Sequence, residues 1–134
     1  MKKDSNILVQ NITIRGDVPS KKNSKIMICR GVRPILISNP RFQSWNTEQL
    51  WLLKRLGSLQ TKEIVKVDIT YYPSTKRRSD LTNKAESIMD LLVEANIIED
   101  DNWFVIPQLL LKLGSVDKEK PRTEVSIYYN EKSH

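Results

Sequence analysis

KRRSDLTNKAESIMDLLVEANIIEDDNW, residues 76–103, is the stretch on which the fold of this 134-residue chain depends. Its apolar residues recur three or four positions apart, at Leu81, Ala85, Ile88, Leu92 and Ala95. This spacing predicts an amphipathic helix with one buried stripe. Ser79 and Asp80 are both suited to cap the N-terminus of that helix.

Charged and polar side chains lie on the opposite side of the predicted helix and at both of its ends. The polar residues on its exposed side are Asn83, Glu86 and Asp90. Asp80 precedes the helix, and Asp100 and Asp101 follow the turn after it. If the chain folds back, these acids meet beside the cations of residues 76–78, and such a cluster suits a divalent cation and a phosphate. The alternative is that Asp80 only caps the helix and the other acids are solvated surface.

The same stretch resembles the RusA-type Holliday-junction resolvases. Their pattern is a basic run followed by D-L-D-N, a lysine, D-A-L and a final D-D. The matching residues here are Arg77, Arg78, Asp80, Leu81, Asn83, Asp90, Leu92, Asp100 and Asp101, and no gap is needed. A weaker similarity lies at residues 19–23, PSKKN, which match a Pro-Ser-x-Asn entry with one extra residue.

The resemblance implies a Mg²⁺-dependent endodeoxyribonuclease that cuts branched DNA as a homodimer, with Mn²⁺ able to replace Mg²⁺. It places the family's first catalytic acid on Asp80 and its last on Asp101. Asp80, Asp101 and Asp100 are then the expected metal ligands, and Glu86 is a further expected catalytic residue. Thr82, Asn83 and Asp90 are expected to support these ligands from the same helix.

The chain departs from the family pattern at two positions. The family's second catalytic aspartate falls on Thr82, and its catalytic lysine falls on Glu86. Thr82 and Glu86 are one helical turn apart, so the longer glutamate side chain can reach toward the place of the missing acid. Two alternative functions therefore stay open: a junction-binding protein of the same fold that has lost cleavage, and a metal-dependent nuclease for another DNA structure.

The net charge of +6 favours a polyanionic partner. The cations expected to bind DNA are Lys76, Arg77, Arg78, Lys21, Lys22 and Lys25. Neutralising phosphates is their expected role. For the three lysines near the N-terminus, the alternative is an edge hairpin that lysines keep from aggregating.

Several other classes of protein do not fit the composition. Cys29 is the only cysteine and His134, the last residue, is the only histidine, which argues against disulfides, zinc sites and histidine-dependent triads. No apolar run approaches the ~20 residues that cross a bilayer, and the N-terminus lacks a signal-peptide core. We therefore expect a cytoplasmic protein without membrane contact. The absence of a glycine-rich phosphate loop predicts no nucleotide cofactor.

The pattern predicts one α+β domain over residues 1–134, with a mixed sheet and two main helices. Strands are expected at 7–14, 26–29, 34–37, 64–72 and 123–129, and the first helix at about 41–56. Residues 103–113 contain Pro107, so they form an edge strand, a bulged strand or two pieces. Alternation predicts a core face of Val65, Val67, Ile69 and Tyr71, and helical spacing predicts an inner side of Trp45, Gln49, Leu52 and Leu56. Trp51 points away from that side and is expected to pack half-buried, and the alternative is a contact with a partner or with DNA.

Overall fold

A computed structural model describes residues 7–31, 33–57 and 62–130 of the chain. The predicted domain covers residues 1–134, so both of its ends, including His134, lie outside the described residues, as do residue 32 and residues 58–61.

The described chain forms six strands and two α-helices. The strands are β1 (Ile7–Arg15), β2 (Lys25–Arg30), β3 (Arg33–Ser38), β4 (Glu63–Tyr72), β5 (Leu109–Leu113) and β6 (Arg122–Asn130). The helices are α1 (Pro40–Leu53) and α2 (Leu81–Glu94), and a short 3-10 turn covers Lys21–Asn23. The predicted α+β class with a mixed sheet and two main helices is confirmed.

The main sheet has the strand order β1-β6-β4-β5. Its pairs are antiparallel except for β4 and β5, which are parallel. Parallel neighbours need a crossover connection, and α2 lies in the connection between these two strands. β2 and β3 form a separate antiparallel pair. The edge of the main sheet at β5 is therefore built by one β-α-β unit whose helix is α2.

The core lies between α2 and the central strands of the sheet. Ile88, Leu91 and Leu92 of α2 have no exposed surface, and neither do Ile69 of β4 and Val125 of β6. The predicted stripe of α2 is confirmed, but it is wider than the spacing alone indicates, because Ser87, Met89 and Leu91 are buried as well.

A β-bulge in β4 makes one prediction of the core face wrong. The pairing with β6 shifts register between Ile64 and Lys66, so Val65 is the extra residue. Such a bulge changes the direction in which the side chains before it point. Ile64 is therefore 8% exposed, whereas Val65, predicted for the core, is 37% exposed. The alternation of Val67, Ile69 and Tyr71 is confirmed.

The first helix ends earlier than predicted, and its inner side differs. The N–H of Lys54 bonds to the carbonyls of Leu50 and Leu52, which closes α1 at Leu53. Leu56 thus lies beyond the helix and is exposed, and Leu52 is exposed too. The buried residues are Gln49 and Leu53, and Trp45 and Leu50 pack beside the core.

Trp51 is 62% exposed, so the half-buried packing expected for it is wrong. The Arg55 guanidinium lies 4.8 Å from the centre of its ring.

The segment around Pro107 forms two pieces, one of the three predicted alternatives. Residues 102–105 make a turn in which the Asn102 side-chain oxygen accepts bonds from the N–H groups of Phe104 and Val105. Pro107 lies before β5, where its missing N–H removes no bond from the sheet ladder.

The bulge supplies a matched pair of substitutions for a stability test. We expect Val67→Ala to lower the free energy of unfolding by about 2 kcal/mol, because it removes two fully buried methyl groups. Val65→Ala removes the same atoms from an exposed position of the same strand, so we expect a loss under about 1 kcal/mol. Urea denaturation of both variants measures the difference. Equal losses would contradict the bulge.

Candidate functional site

Asp80 caps the start of α2 and is held there by its neighbours. Its Oδ1 accepts bonds from the N–H of Thr82 at 3.1 Å and from Thr82 Oγ1 at 2.8 Å. Its Oδ2 accepts a bond from Asn83 Nδ2 at 2.9 Å. The hydroxyl and N–H of Thr82 hold the pKa of Asp80 below its usual value, and the charge of Lys22 contributes in the same direction. Asp80 is therefore an ionised carboxylate in a fixed orientation.

Of the three residues expected to support the ligands, Thr82 and Asn83 contact Asp80 directly. Asp90 does not belong to this group. Its carboxylate instead forms an ion pair with Lys21 at 2.7 Å.

After α2 the chain reverses and runs back along the helix. Asn96 follows the helix with a positive φ of 62°, a conformation common just beyond a helix C-terminus. The N–H groups of Ile97 and Ile98 both bond to the carbonyl of Leu92, and both side chains are buried. This anchor directs the next residues, Asp100 and Asp101, back toward the start of α2.

A cavity of about 800 Å³ lies where the returning chain meets α2. We call it the acidic cavity, because Glu86 and Asp101 both line it together with Thr82. Its other lining residues are Ala85, Met89, Asn102, Trp103, Phe104, Ile106, Leu109 and Leu111. The fold thus brings Asp101 of the returning chain to Thr82 and Glu86 of α2.

Asp100 faces its own turn and is not among the residues that line the cavity. Its Oδ1 accepts a bond from the N–H of Asp101 at 2.8 Å, and its Oδ2 accepts one from Asn102 Nδ2 at 2.9 Å. These bonds, the first of them above all, keep the pKa of Asp100 below its usual value. Asp80 likewise lies outside the lining and is joined to it through Thr82.

The donor set in the acidic cavity limits the kind of metal site. Across residues 7–31, 33–57 and 62–130, no three His, Cys, Asp or Glu side chains are grouped so that they could hold a metal ion. Mg²⁺, however, is usually held by one or two carboxylates and completes its shell with water and phosphate oxygens. The carboxylates of Glu86 and Asp101 with the Thr82 hydroxyl fit this open arrangement; they do not fit a closed protein cage.

A second cavity, of about 510 Å³, opens on the other side of the start of α2. We call it the basic cavity, because five of the residues that line it are cations: Lys76, Arg77, Arg78, Lys84 and Arg122. Lys76, Arg77 and Arg78 are exposed, and in the described part of the chain none of them forms a salt bridge. Their charges can therefore be neutralised by an external anion.

The other two cations of the basic cavity have partners within the protein. Arg122 bonds to Asp117 and Glu124 and lies over the ring of Tyr72 at 4.2 Å. Lys84 donates to the carbonyl of Val18, and burial lowers the pKa of its ammonium group although Asp17 opposes the shift.

The loop before β2 is held against α2 and carries the remaining predicted cations. Lys84 holds the carbonyl of Val18, and the Ser87 hydroxyl donates to the carbonyl of Pro19 at 2.7 Å. Lys21 pairs with Asp90, Lys22 is exposed and its charge acts on Asp80, and Lys25 is exposed at the start of β2. The loop therefore places Lys22 near the helix start.

Sequence reasoning assigned no site role to several residues that line the two cavities, among them two cations and two aromatic residues. Lys84 and Arg122 line the basic cavity, and Trp103 and Phe104 line the acidic one. Arg122 opens a regular alternating strand and is distant in sequence from the basic run, so no local pattern indicates its position. The two adjacent aromatic residues one position after D-D were the one signal present in the sequence.

The chain matches the family model of endodeoxyribonuclease RusA over residues 17–128. Because this match covers more than half of the sequence, the chain belongs to the RusA endodeoxyribonuclease family. The family implies an endonuclease that resolves Holliday junctions, and its nucleases bind branched DNA and generally depend on a divalent metal. No curated protein matches the chain. None of the described helices is long and apolar enough to cross a membrane.

Proposed function

We propose that the protein is a Mg²⁺-dependent endodeoxyribonuclease that resolves Holliday junctions or related branched DNA by paired phosphodiester hydrolysis. One observation carries the proposal. In this member of the family, Asp101, Glu86 and Thr82 line one cavity beside the start of α2, and the start of α2 also forms part of the wall of the basic cavity. Acids for a metal and cations for a phosphate therefore flank one short stretch of α2.

The proposed metal ligands are Asp80 and Asp101, with Asp100 or Glu86 contributing a further carboxylate. Mn²⁺ is expected to replace Mg²⁺, because both prefer oxygen ligands. Bound at these residues, the ion supplies Lewis acidity toward the scissile phosphate. Thr82 and Asn83 hold the Asp80 carboxylate ionised and oriented, through bonds of 2.8 and 2.9 Å.

The proposed DNA contacts are mainly to phosphates. Lys76, Arg77 and Arg78 approach the backbone from the basic cavity, and Lys22 approaches it from the loop beside Asp80. Lys21 and Lys25 extend this surface toward β2. Such contacts position the duplex arms without selecting a base sequence.

A homodimer is the proposed active form. A four-way junction is close to two-fold symmetric, so an isologous dimer presents two equal sites related by the same symmetry. Paired hydrolysis across the junction follows directly from that arrangement.

Two observations favour a second candidate function, a junction-binding protein without cleavage. Both oxygens of Asp80 already accept bonds from α2, and three grouped acids are absent from the described residues. Junction cleavage in Mg²⁺ compared with EDTA separates this candidate from the proposal. A panel of branched substrates separates a junction resolvase from a nuclease for another DNA structure.

We expect Asp101→Asn to reduce junction cleavage by a factor of about 100 or more, equivalent to ~2.7 kcal/mol of barrier. Its carboxylate lines the acidic cavity, and the amide removes the charge at nearly constant shape. Binding measured in EDTA should remain, since a lost negative charge adds no repulsion toward DNA. Asp100→Asn is the matched neighbour, and we expect a smaller loss there. The reverse order of the two effects would make Asp100 the principal ligand.

We expect Glu86→Ala to lose cleavage by a factor of about 100 or more with junction binding unchanged. Glu94→Ala is the matched control, because Glu94 is also an exposed glutamate of α2. Its side chain accepts a hydrogen bond from Asn46. Cleavage by Glu86→Ala within about threefold of wild type, under ~0.7 kcal/mol, would show that Glu86 is solvated surface. The double change Thr82→Asp with Glu86→Lys restores the family arrangement. We expect it to recover the cleavage activity that Glu86→Ala loses.

We expect the affinity for a junction to depend steeply on salt. If roughly six phosphates are engaged, log K falls with log salt with a slope of about −5. The triple change Lys76→Ala, Arg77→Ala and Arg78→Ala removes three cations from each protomer of the proposed homodimer, so it should flatten this slope by up to about 5. An unchanged slope would place the DNA elsewhere, and the same titration of Lys21→Ala, Lys22→Ala and Lys25→Ala would then locate it.

A further inference from the structure

Two adjacent aromatic rings project from the turn that follows Asp101. Trp103 is 77% exposed and Phe104 is 88% exposed, the largest values among the large apolar side chains of the described residues. Their ring centres lie 6.1 Å apart, with the planes inclined at 70°. Exposed apolar surface of this size is unfavourable in water, and it marks sites of interaction.

The turn that carries the rings is held firmly on both sides. Asn102 donates to Asp100 through Nδ2 at 2.9 Å, and its Oδ1 accepts from the N–H groups of Phe104 at 2.9 Å and Val105 at 3.1 Å. Behind the turn, Ile106 is buried and its N–H bonds to the carbonyl of Asn102. The backbone of the turn is thus bonded on both sides of the rings while the rings themselves face solvent.

The two rings line the acidic cavity together with Glu86 and Asp101. No lysine or arginine is among the described residues that line this cavity, and most of its remaining wall is apolar. A phosphate finds no cation of the protein there, whereas the flat face of a nucleobase finds aromatic rings and aliphatic side chains. The chemistry of this surface therefore matches a base.

We propose that Trp103 and Phe104 form a stacking platform for an unstacked nucleobase next to the phosphate that is cut. This inference rests on the proposed function, because it needs the DNA backbone to approach Asp101. The cavity, at about 800 Å³, is large enough for a nucleobase. Bases at a branch point lack part of their normal stacking, so their extrusion is less costly than in an intact duplex.

A second copy of the chain is the competing occupant of this surface. Packing another protomer over the rings would also cover Glu86 and Asp101, and removing two carboxylates from water without cationic partners is costly. A nucleobase avoids this cost, because it is small enough to cover the rings and leave the two carboxylates in contact with water. Stacking on aromatic rings is also independent of base identity, which suits an enzyme that recognises DNA shape.

The test compares a four-way junction with an intact duplex of the same sequences, both measured in EDTA. The variant is Trp103→Leu with Phe104→Leu, which keeps apolar surface and removes the flat rings. We expect its affinity for the junction to fall by roughly 5- to 150-fold and its affinity for the duplex to stay unchanged. Trp103→Phe should keep most of the junction affinity. Trp51→Leu, which changes an exposed tryptophan of α1 outside both cavities, should match wild type for both DNAs.

Two results would overturn the inference. One is a junction affinity of the double leucine variant equal to that of wild type, or a loss equal for junction and duplex. The other is a light-scattering measurement in which wild type is a dimer and this variant is a monomer. The rings would then form a contact between two copies of the chain. Thermal melting of each variant confirms folding, and the single changes Trp103→Leu and Phe104→Leu replace the double variant if it melts early.

The experiments distinguish a failure of the proposed function from a failure of this inference. If wild type cuts junctions in Mg²⁺ and the leucine variant binds them equally well, the platform is wrong and the nuclease stands. If wild type cuts no branched DNA but the leucine variant selectively loses junction affinity, the platform stands in a binding protein.

Discussion

The packing of one face of α2 against the sheet is the constraint on which the site depends. Ile88, Leu91 and Leu92 have no exposed surface, and α2 also forms the crossover between two adjacent parallel strands. Its 14 residues span about 21 Å, so the chain has to return along most of that length to begin β5 beside β4. That return brings Asp101 to the cavity that Glu86 lines. The meeting of Glu86 of α2 with Asp101 of the returning chain is therefore a consequence of core packing and topology.

The packing of α2 against the sheet also positions the charged residues around the start of this helix. β4 delivers the basic run directly before Asp80, and the loop before β2 is fixed to α2 by Lys84 and Ser87. The carboxylate of Asp80 keeps a pKa below its usual value because donors of the first helical turn stabilise its charged form. Its charge is thus present in the free protein. The five cations of the basic cavity lie outside the acidic cavity, whose described lining contains no lysine or arginine.

Local patterns predicted most of the fold and part of the site. The spacing in α2 and the alternation in β6 arise within one element, so the sequence alone reveals them. The bulge at Val65 comes from pairing with β6, and the early end of α1 comes from its last turn; neither leaves a periodic signal. The same limit applies to Arg122, which reaches the basic cavity only through the sheet. Family similarity indicated the acids at both ends of α2, but which of them line the acidic cavity depends on where the returning chain meets the helix.

Thr82 and Glu86 determine how charge is distributed within the first turns of α2. At position 82 an aspartate would set a second negative charge against Asp80, whereas the Thr82 hydroxyl donates a bond to it at 2.8 Å. The second carboxylate of the helix is instead Glu86, one turn further on, in the cavity with Asp101. The positive charge of Lys22 in the docked loop also favours the ionised form of Asp80. The helix start thus holds Asp80 by a hydrogen bond where a second acid would repel it, and the pair of acids forms between α2 and the returning chain.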